Sequence, residues 1–375
     1  MICHTDIHAF RMLQNEWRSL QKDVANIFPF RIWEWLFSWW QAYSHGKKLR
    51  LLIWRRVVDQ KLVAIVPLYL MEEKVLGINC PVLRFVGEGS FDSDYLDFII
   101  APDVFPQVVC QLGEWLQNNN EWDVLLLRDM HEKSPLHEIL KNFATQQDLR
   151  IRVEYGRYAA VELSVSFDQF LQKCRPRFRT KLRSLLRDFE KDETLVFEEH
   201  ASPQSLRRKL RSLFALHQQR WQQLGQSGVF NKKSKRIFYA HFATKFARNG
   251  WLRLYSLRRE QRYLAHQLCF GTNGVTYLLQ EGFDVSESTA SYGQMLRALV
   301  FKHLIETGDS RYDFLGGFSD HKADWGAEPG KIIHLVLAKE NWRGRLYFGF
   351  PLWREALITQ VKRLVRPRPK VSSPS

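Results

Sequence analysis

The feature that most constrains the fold is a pattern that occurs twice. WRRVVDQKLVAI spans 54–65 and YSLRREQRYLAH spans 255–266, and in each a short polar turn separates two strand-like runs. Each pattern predicts a β-hairpin. At 375 residues the chain also exceeds one ordinary core and suits two domains of roughly 150 to 200 residues. The sequence therefore predicts two similarly built halves that arose by duplication.

The order of predicted elements around each hairpin supports two halves. The first half is predicted to contain a helix at 30–43, strands at 49–57, 61–70, 82–86 and 95–100, a helix at 104–118, a strand at 122–128 and a helix at 135–146. The second is predicted to contain helices at 205–224 and 233–248, strands at 251–257, 262–270 and 275–281, a helix at 291–307 and a strand at 311–315. A basic amphipathic helix at 175–191 lies between them.

Composition limits the function classes. The five cysteines are scattered without a CxxC pair, which argues against a zinc site or a disulfide framework, and we expect no metal. The N-terminus lacks the pattern of a signal peptide, and no apolar run reaches the roughly 20 residues that cross a bilayer. A net charge of +15 favours anionic partners, such as CoA phosphates, a polyanionic substrate or a membrane surface.

Three groups of residues could support acyl transfer from a thioester. A diphosphate could bind at the start of the helix at 291–307, because backbone amides there are expected to be unpaired and to lie at the positive end of the helix dipole. The residues concerned are Ser291, Tyr292, Gly293, Gln294 and Met295. A serine and a glycine at such a place are equally typical of an ordinary helix cap. The strand at 263–270, with His266, Gln267 and Leu268, could pair with the pantetheine arm through its backbone.

Acid–base chemistry has carboxylate candidates at strand ends. Glu281 and Asp284 lie in QEGFD and Asp313 lies on the next strand, although each carboxylate is also of a type that stabilises structure. Two glycines then allow a turn in LGGFSDHKADWGAE, which presents Lys322 and Trp325. Lys322 could bind an anionic substrate or the oxyanion of the tetrahedral intermediate.

These motifs resemble the CelD/BcsL-like acetyltransferases of cellulose and exopolysaccharide biosynthesis, a branch of the GNAT superfamily related to the FemAB aminoacyl transferases. The resemblance covers nearly the whole chain and rests on WEWLFSWWQAY, AIVPLYL, FVGEGSFDSDYLDFII, RFRTKLRSLLRDFE, QEGFD, SYGQMLRALVFKHLIETG and YDFLGGFSDHKADWGAE. It implies an α+β fold of two tandem GNAT-like domains, each a mixed, mostly antiparallel sheet flanked by helices. The domains would span 1–155, degenerate and forming a substrate cleft, and 156–348, the acyltransferase domain, followed by a basic amphipathic or disordered tail at 349–375.

The resemblance also implies site residues. Tyr292, Gly293 and Gln294 match the donor loop, and Gly317 with Lys322 matches the loop that follows the next strand. Apart from the resemblance, we expect the acceptor to contact Asp94, Tyr95, Arg179, Arg183 and Trp325. The basic face of the helix at 175–191 is equally explained by a core-packed helix with a solvated face. The familiar GNAT motif Q/R-x-x-G-x-G/A is not kept, because only Gly293 remains of it.

The expected function is transfer of an acetyl group from acetyl-CoA to an amine or hydroxyl of a sugar or polysaccharide precursor. The expected location is cytoplasmic, with a peripheral position at the inner membrane face as an option. Two alternatives stay open: a FemAB-like aminoacyl transferase, for which tRNA would be the one nucleic-acid partner, and a non-catalytic component of a polysaccharide synthase complex.

Overall fold

A computed structural model describes residues 1–24, 28–200, 203–223, 225, 227–286 and 291–350. The predicted tail at 349–375 falls outside these residues from position 351 onward. The elements of the first half are β1 (Ile2–His4), α1 (Ile7–Met12), α2 (Gln14–Asp23), α3 (Trp33–Tyr43), β2 (Lys47–Arg55), β3 (Leu62–Val75), β4 (Ile78–Phe85), β5 (Ile99–Ile100), α4 (Phe105–Asn118), β6 (Val124–His131), α5 (Leu136–Gln146) and β7 (Arg150–Glu162).

The second half repeats this order. Its elements are α6 (Phe167–Lys173), α7 (Pro176–Lys191), β8 (Leu195–His200), α8 (Pro203–Gln223), α9 (Lys233–Arg248), β9 (Leu252–Arg259), β10 (Arg262–Thr272), β11 (Val275–Phe283), α10 (Tyr292–Glu306), β12 (Arg311–Gly316), α11 (Asp320–Asp324) and β13 (Glu328–Ala338). Residues 342–350 are also helical.

The thirteen strands of the described residues belong to one sheet, in the order β1-β2-β3-β4-β6-β13-β7-β12-β11-β10-β9-β8, with β5 paired to β3 outside this path. Neighbouring strands are mostly antiparallel, and β4/β6 and β11/β12 are the parallel pairs among the described residues. The predicted α+β fold of two tandem GNAT-like units is therefore confirmed. Their sheets are continuous rather than separate.

The two halves exchange their last strands. β13, from the end of the second half, pairs with β6 of the first, while β7, from the end of the first half, pairs with β12 of the second. β7 and β13 also pair with each other from Arg150↔Ala338 to Ala160↔Glu328. The predicted boundary between residues 155 and 156 falls inside β7.

One predicted strand is mostly a loop. Residues 95–100 were expected to be extended, but only Ile99–Ile100 form a strand, β5. The preceding loop is held by side-chain bonds to its polar groups instead of by a sheet ladder: Trp35 Nε1 donates to Ser93 Oγ at 2.9 Å and Tyr239 OH donates to Asp92 at 2.9 Å. Phe91 in this loop has φ of 58° and is 94% exposed.

Two large apolar clusters stabilise the sheet. One is rich in aromatic rings and joins the helices of the first half to α8 and α9, with Trp17, Trp35 and Trp39 among its buried side chains. The other packs α6, α7 and α10 on the second half of the sheet, around Phe301 and Trp325. Because α9 of the second half packs on Trp35 of the first through Phe238 and Phe242, the aromatic cluster also joins the halves.

Candidate active site

The parallel strands β11 and β12 separate after a short stretch of pairing. Their register runs from Val275↔Arg311 to Tyr277↔Asp313, although β11 continues to Phe283 and β12 to Gly316. Beyond Tyr277, the edge of β11 that faces β12 is therefore unpaired in the described sheet. We call this opening the cleft. A strand edge of this kind can hydrogen-bond an extended ligand.

The free strand edge lies on β11 and not on β10. β10 is paired on one side with β9 and on the other with β11, and Gln267 faces Tyr255 and Glu281 across these ladders. Since both edges of β10 are in use, its backbone offers no pairing edge to a pantetheine arm. This differs from the sequence-based expectation for 263–270.

The three residues predicted on β10 are buried. His266 is 1% exposed, its Nδ1 lies 2.9 Å from Ser256 Oγ, and burial lowers its pKa to about 3. Gln267 accepts a hydrogen bond from Tyr312 OH at 3.1 Å, and Leu268 is fully buried. These side chains pack and bond within the second half, while β11 next to them supplies the cleft edge.

The beginning of α10 lies beside the cleft. Its first residue, Tyr292, follows Ser291, whose φ of 48° is left-handed. The Ser291 carbonyl accepts the amides of Gln294 and Met295 at 2.9 and 3.0 Å, so these two amides are not unpaired, contrary to the sequence-based prediction. A Cβ on Gly293 would lie 2.6 Å from the ring of Phe283, so glycine allows β11 and the helix start to approach closely. The Gln294 Oε1 atom is buried without a hydrogen-bond partner, which leaves an acceptor available at this helix end.

A buried ion pair crosses the cleft from strand to helix. Arg297 on α10 donates to Glu281 on β11, and Arg220 on α8 lies 4.0 Å from the same carboxylate. Burial alone would raise the pKa of Glu281, but the adjacent Arg297 outweighs it and lowers the pKa below the ordinary glutamate value. The guanidinium of Arg297 also lies over the rings of Phe314 and Trp325, at 5.2 and 5.3 Å.

Lys322 closes the far end of β12. Its Nζ donates to the carbonyl oxygens of Phe314 at 3.1 Å, Gly316 at 3.0 Å and Gly317 at 2.6 Å. Strand carbonyls that leave the ladder need a donor, and one ammonium satisfies several of them. Asp94 and Asp313 raise the pKa of Lys322, but burial has the larger effect and lowers it.

Three aspartates have raised pKa values: Asp313 on β12, Asp94 beside the end of β12, and Asp129 near the end of β6, whose carboxyl group interacts with that of Asp94. Asp94, from the loop after β4, approaches Gly316 so closely that a Cβ there would lie 2.7 Å from Asp94 Oδ1. Burial, with the neighbouring Asp313, raises the pKa of Asp94 to about 7. Burial also raises the pKa of Asp313 to about 6 and that of Asp129 to about 8. Carboxyl groups that titrate near neutral pH suit proton transfer.

A cavity of about 530 Å³ joins the cleft where β11 and β12 part. Tyr277 and Asp313, the last paired residues, both line it. Tyr95 OH donates to Asp313 Oδ1 at 2.9 Å across this junction. The predicted residues Tyr95 and Asp313 are therefore in contact at the meeting point of the two openings.

Other predicted residues lie away from this junction. Asp284 is bound by Arg262 and by the amide of Ser286, and these bonds lower its pKa against the effect of burial. Trp325 is fully buried against Phe178. On α7, which packs on α10, Arg179 is half-buried and Arg183 is exposed. Their roles remain predictions.

Sequence reasoning missed Asp129, His131, Tyr158 and Arg311. Asp129 and His131 are at the end of β6, where a polar residue after a predicted strand was the available signal. Tyr158 belongs to β7, which was not predicted, and Arg311 was placed on a strand but given no role. Among the described residues, no group of three or more His, Cys, Asp or Glu side chains is arranged to hold a metal.

Comparison with known proteins supports the same fold. Residues 176–323 match the model of the acetyltransferase (GNAT) domain family. The crystal structure of FemX has a TM-score of 0.57 at 11% sequence identity, covering 85% of this chain and 95% of that chain. The C-terminal domain of a putative lysylphosphatidylglycerol synthetase from Agrobacterium fabrum has a TM-score of 0.50 at 11% identity, covering 97% and 99%. A search of curated proteins finds no match.

Proposed function

We propose that this protein transfers an acetyl group from acetyl-CoA to an amine or hydroxyl of a sugar or polysaccharide precursor, as its resemblance to CelD/BcsL-like acetyltransferases implies. The observation that carries the proposal is the parting of β11 and β12 after Tyr277↔Asp313 beside the start of α10. This combination offers a strand edge for an amide-containing arm and the positive end of a helix dipole for a diphosphate. The match to a GNAT domain over 176–323 supports the same class of chemistry.

In this proposal the donor extends from α10 towards the junction. Its diphosphate lies at the positive end of the α10 dipole, its pantetheine arm follows the free edge of β11, and its thioester reaches Asp313. Arg179 and Arg183 on α7 provide positive charge near α10 for the phosphates or an anionic acceptor. The first half, residues 1–155, shapes the acceptor side, and 156–348 holds the donor.

Proton transfer is assigned to the carboxylates at the end of β12. An amine must be neutral to attack a thioester, so a group titrating near pH 7 is well matched to remove its proton. Asp94, with a pKa of about 7, and Asp313, with a pKa of about 6, both meet this condition. Glu281 is proposed to keep Arg297 in place across the cleft. Positioning two substrates supplies most of the rate.

Two variants that carry opposite charges at the helix start test donor binding. Gln294→Glu places a carboxylate where the diphosphate is proposed, and Gln294→Lys, of similar length, places an ammonium there. We expect the Kd for acetyl-CoA, measured by isothermal titration calorimetry, to rise about tenfold or more in Gln294→Glu and to stay the same or fall in Gln294→Lys. An acidic residue in the first turn favours the helix, so the glutamate variant should remain folded.

Two results would contradict this donor site. One is wild-type protein that does not bind acetyl-CoA at millimolar concentration. The other is equal affinity in the two Gln294 variants, which would move the phosphates away from α10. Circular dichroism melts of both variants check that the comparison is made on folded protein.

A second donor, aminoacyl-tRNA, is favoured by one observation, the net charge of +15. A cytoplasmic protein, whether free or peripheral at the inner membrane face, would meet either donor. The described residues contain no helix able to cross a membrane. Filter binding of tRNA at increasing salt separates the two donors, because a phosphate-driven complex weakens steeply with salt.

A further inference from the structure

The cavity at the junction has an aromatic wall. Phe28, Tyr95, His131 and Tyr158 form a continuous cluster, with ring centroids 4.8 Å apart for Phe28 and Tyr95, 4.9 Å for Phe28 and His131 and 5.2 Å for His131 and Tyr158. Tyr277 lines the cavity from β11. A volume of about 530 Å³ lies within the range of small-molecule sites and accommodates one or two sugar rings.

The guanidinium groups in this cavity are already matched by carboxylates. Arg31 lies 3.6 Å from Asp97. Arg311 lies 2.8 Å from Glu162 and 3.7 Å from Asp313. A phosphorylated or carboxylated ligand would have to compete with these acids for each cation. Lys133, which is exposed, also lines the cavity. Because both guanidinium groups are paired, the part of the cavity around them favours a neutral or amine-bearing ligand over an anionic one.

His131 adds a neutral donor. Its Nδ1 accepts the amide of Lys133 at 3.1 Å, and burial lowers its pKa to about 4, so at neutral pH its single ring proton is on Nε2. Aromatic rings with a few fixed polar groups are typical of sites that bind polyhydroxylated rings. Carboxylates beside aromatic rings favour an ammonium group.

Asp313 lies where the cavity meets the cleft in which acyl transfer is proposed. Asp313 is hydrogen-bonded to Tyr95 and lies at the last pair of β11 and β12. A ligand amine directed at Asp313 would lie where the cleft begins. The far, aromatic part of the cavity would then contact the rest of the ligand.

We propose that this cavity binds an amino sugar, with the pyranose ring among the aromatic side chains and the amine at Asp313. The proposal rests on the proposed acyl transfer and names its acceptor. In the step, the amine nitrogen forms a C–N bond with the thioester carbon and the C–S bond breaks. The nitrogen loses its proton to the carboxylate of Asp94 or Asp313, and the departing CoA thiolate takes up a proton, which leaves an amide and a thiol.

Binding without donor tests the cavity directly. The probes are chitobiose with two free amines and its N,N′-diacetyl form, titrated calorimetrically against the full chain. We expect the free amine form to bind about tenfold more tightly, and Asp313→Asn to remove most of that difference. Tyr158→Ala should weaken binding of both probes about tenfold or more, whereas Tyr158→Phe should retain it.

A matched control lies on the same strand. Tyr155, three residues before Tyr158 on β7, is 69% exposed outside the cavity, so Tyr155→Ala should leave both affinities unchanged. Equal affinity of the two probes for wild type overturns the amine assignment, and unchanged binding in a folded Tyr158→Ala overturns the cavity assignment. Acetyl-CoA titrations keep the two proposals apart. Sugar binding without acetyl-CoA binding rejects the donor alone, and the converse rejects this acceptor site alone.

Discussion

Each half of the molecule contains a pair of parallel strands, and the two pairs differ in what packs beside them. In the first half, β4 and β6 pair in parallel from Val82↔Val124 to Arg84↔Leu126, and in the second, β11 and β12 pair over three positions in the same way. Near the end of each second strand a non-glycine residue has a left-handed backbone, Asp129 with φ of 61° and Leu315 with φ of 60°. The two parallel pairs therefore have corresponding geometry.

What surrounds each pair differs. In the first half, the C-terminal helical residues 342–350 cover the face of β4 and β6, where Tyr347 and Phe348 pack on an apolar cluster that includes Val82 and Val124. In the second half, the start of α10 lies beside the parted strands, with Gln294 Oε1 unpartnered. The same strand arrangement therefore occurs in both halves, while in the first half a C-terminal segment of the chain packs on it.

The C-terminal helical residues give the largest expected effect. A chain that stops after Glu340 loses the Tyr347 OH bond to Glu73 at 3.0 Å and the packing of Phe348, whose ring lies 4.9 Å from the guanidinium of Arg152. We expect its free energy of unfolding in urea to fall by about 3–5 kcal/mol, the loss typical of removing large side chains from an apolar cluster.

A chain that stops after Phe350 is the matched reference, because it keeps all of these contacts. Equal urea midpoints for the two truncated chains would show that the first copy is stable without its cover. The packing of residues 342–350 on β4 and β6 would then not be what distinguishes the first half from the second.

Lys322 and His334 allow a test at the ends of the two second strands. Lys322 donates to carbonyls at the end of β12, whereas His334 Nδ1 accepts the amide of Asp129 in β6 at 3.1 Å. Lys322→Met leaves several carbonyls without a donor, and we expect it to destabilise the protein by about 2–3 kcal/mol. His334→Phe removes one bond and should cost about 1 kcal/mol.

Thermal melts of both variants, with acetyl-CoA affinity measured alongside, decide the role of Lys322. A Lys322→Met protein with an unchanged melting temperature and a weaker affinity for acetyl-CoA would assign the lysine to substrate binding. Loss of stability equal to that in His334→Phe would contradict the carbonyl-capping role.

Local pattern was enough to predict most elements of each half. The hairpins, the helices at 33–43, 105–118 and 292–306, and the parallel partner strands all lie close to their predicted positions. Each of these elements is predicted by the spacing of apolar residues within its own segment. The GNAT-like fold was predicted from the family resemblance, and the order of these elements agrees with it.

The strand exchange could not be predicted in this way. β7 and β13 pair along their length although about 180 residues separate them, as in Arg157↔Lys331, and no local period indicates a partner so distant in sequence. The same limit affects the site. Asp313 was predicted from its strand, but its contact with Tyr95 joins residues 218 positions apart.

Asp94 and Asp284 give the smallest and sharpest test, because they follow the first strand of each parallel pair with opposite pKa shifts. Burial raises the pKa of Asp94 to about 7, so the stability of its neutral form is fully present below about pH 4 and is lost as pH rises to 7. Asp94→Asn should therefore become more stable than wild type above pH 7, by roughly 1–2 kcal/mol.

For Asp284, bonds from Ser286 and Arg262 outweigh burial and lower the pKa. The stabilisation that its carboxylate gives is therefore present at neutral pH and is lost as pH falls through the lowered value. Asp284→Asn should be less stable than wild type at pH 7, and the deficit should shrink in acid. Urea unfolding of both variants is measured from pH 3 to 8. Differences from wild type with the same sign at pH 8 would contradict the contrast between the halves.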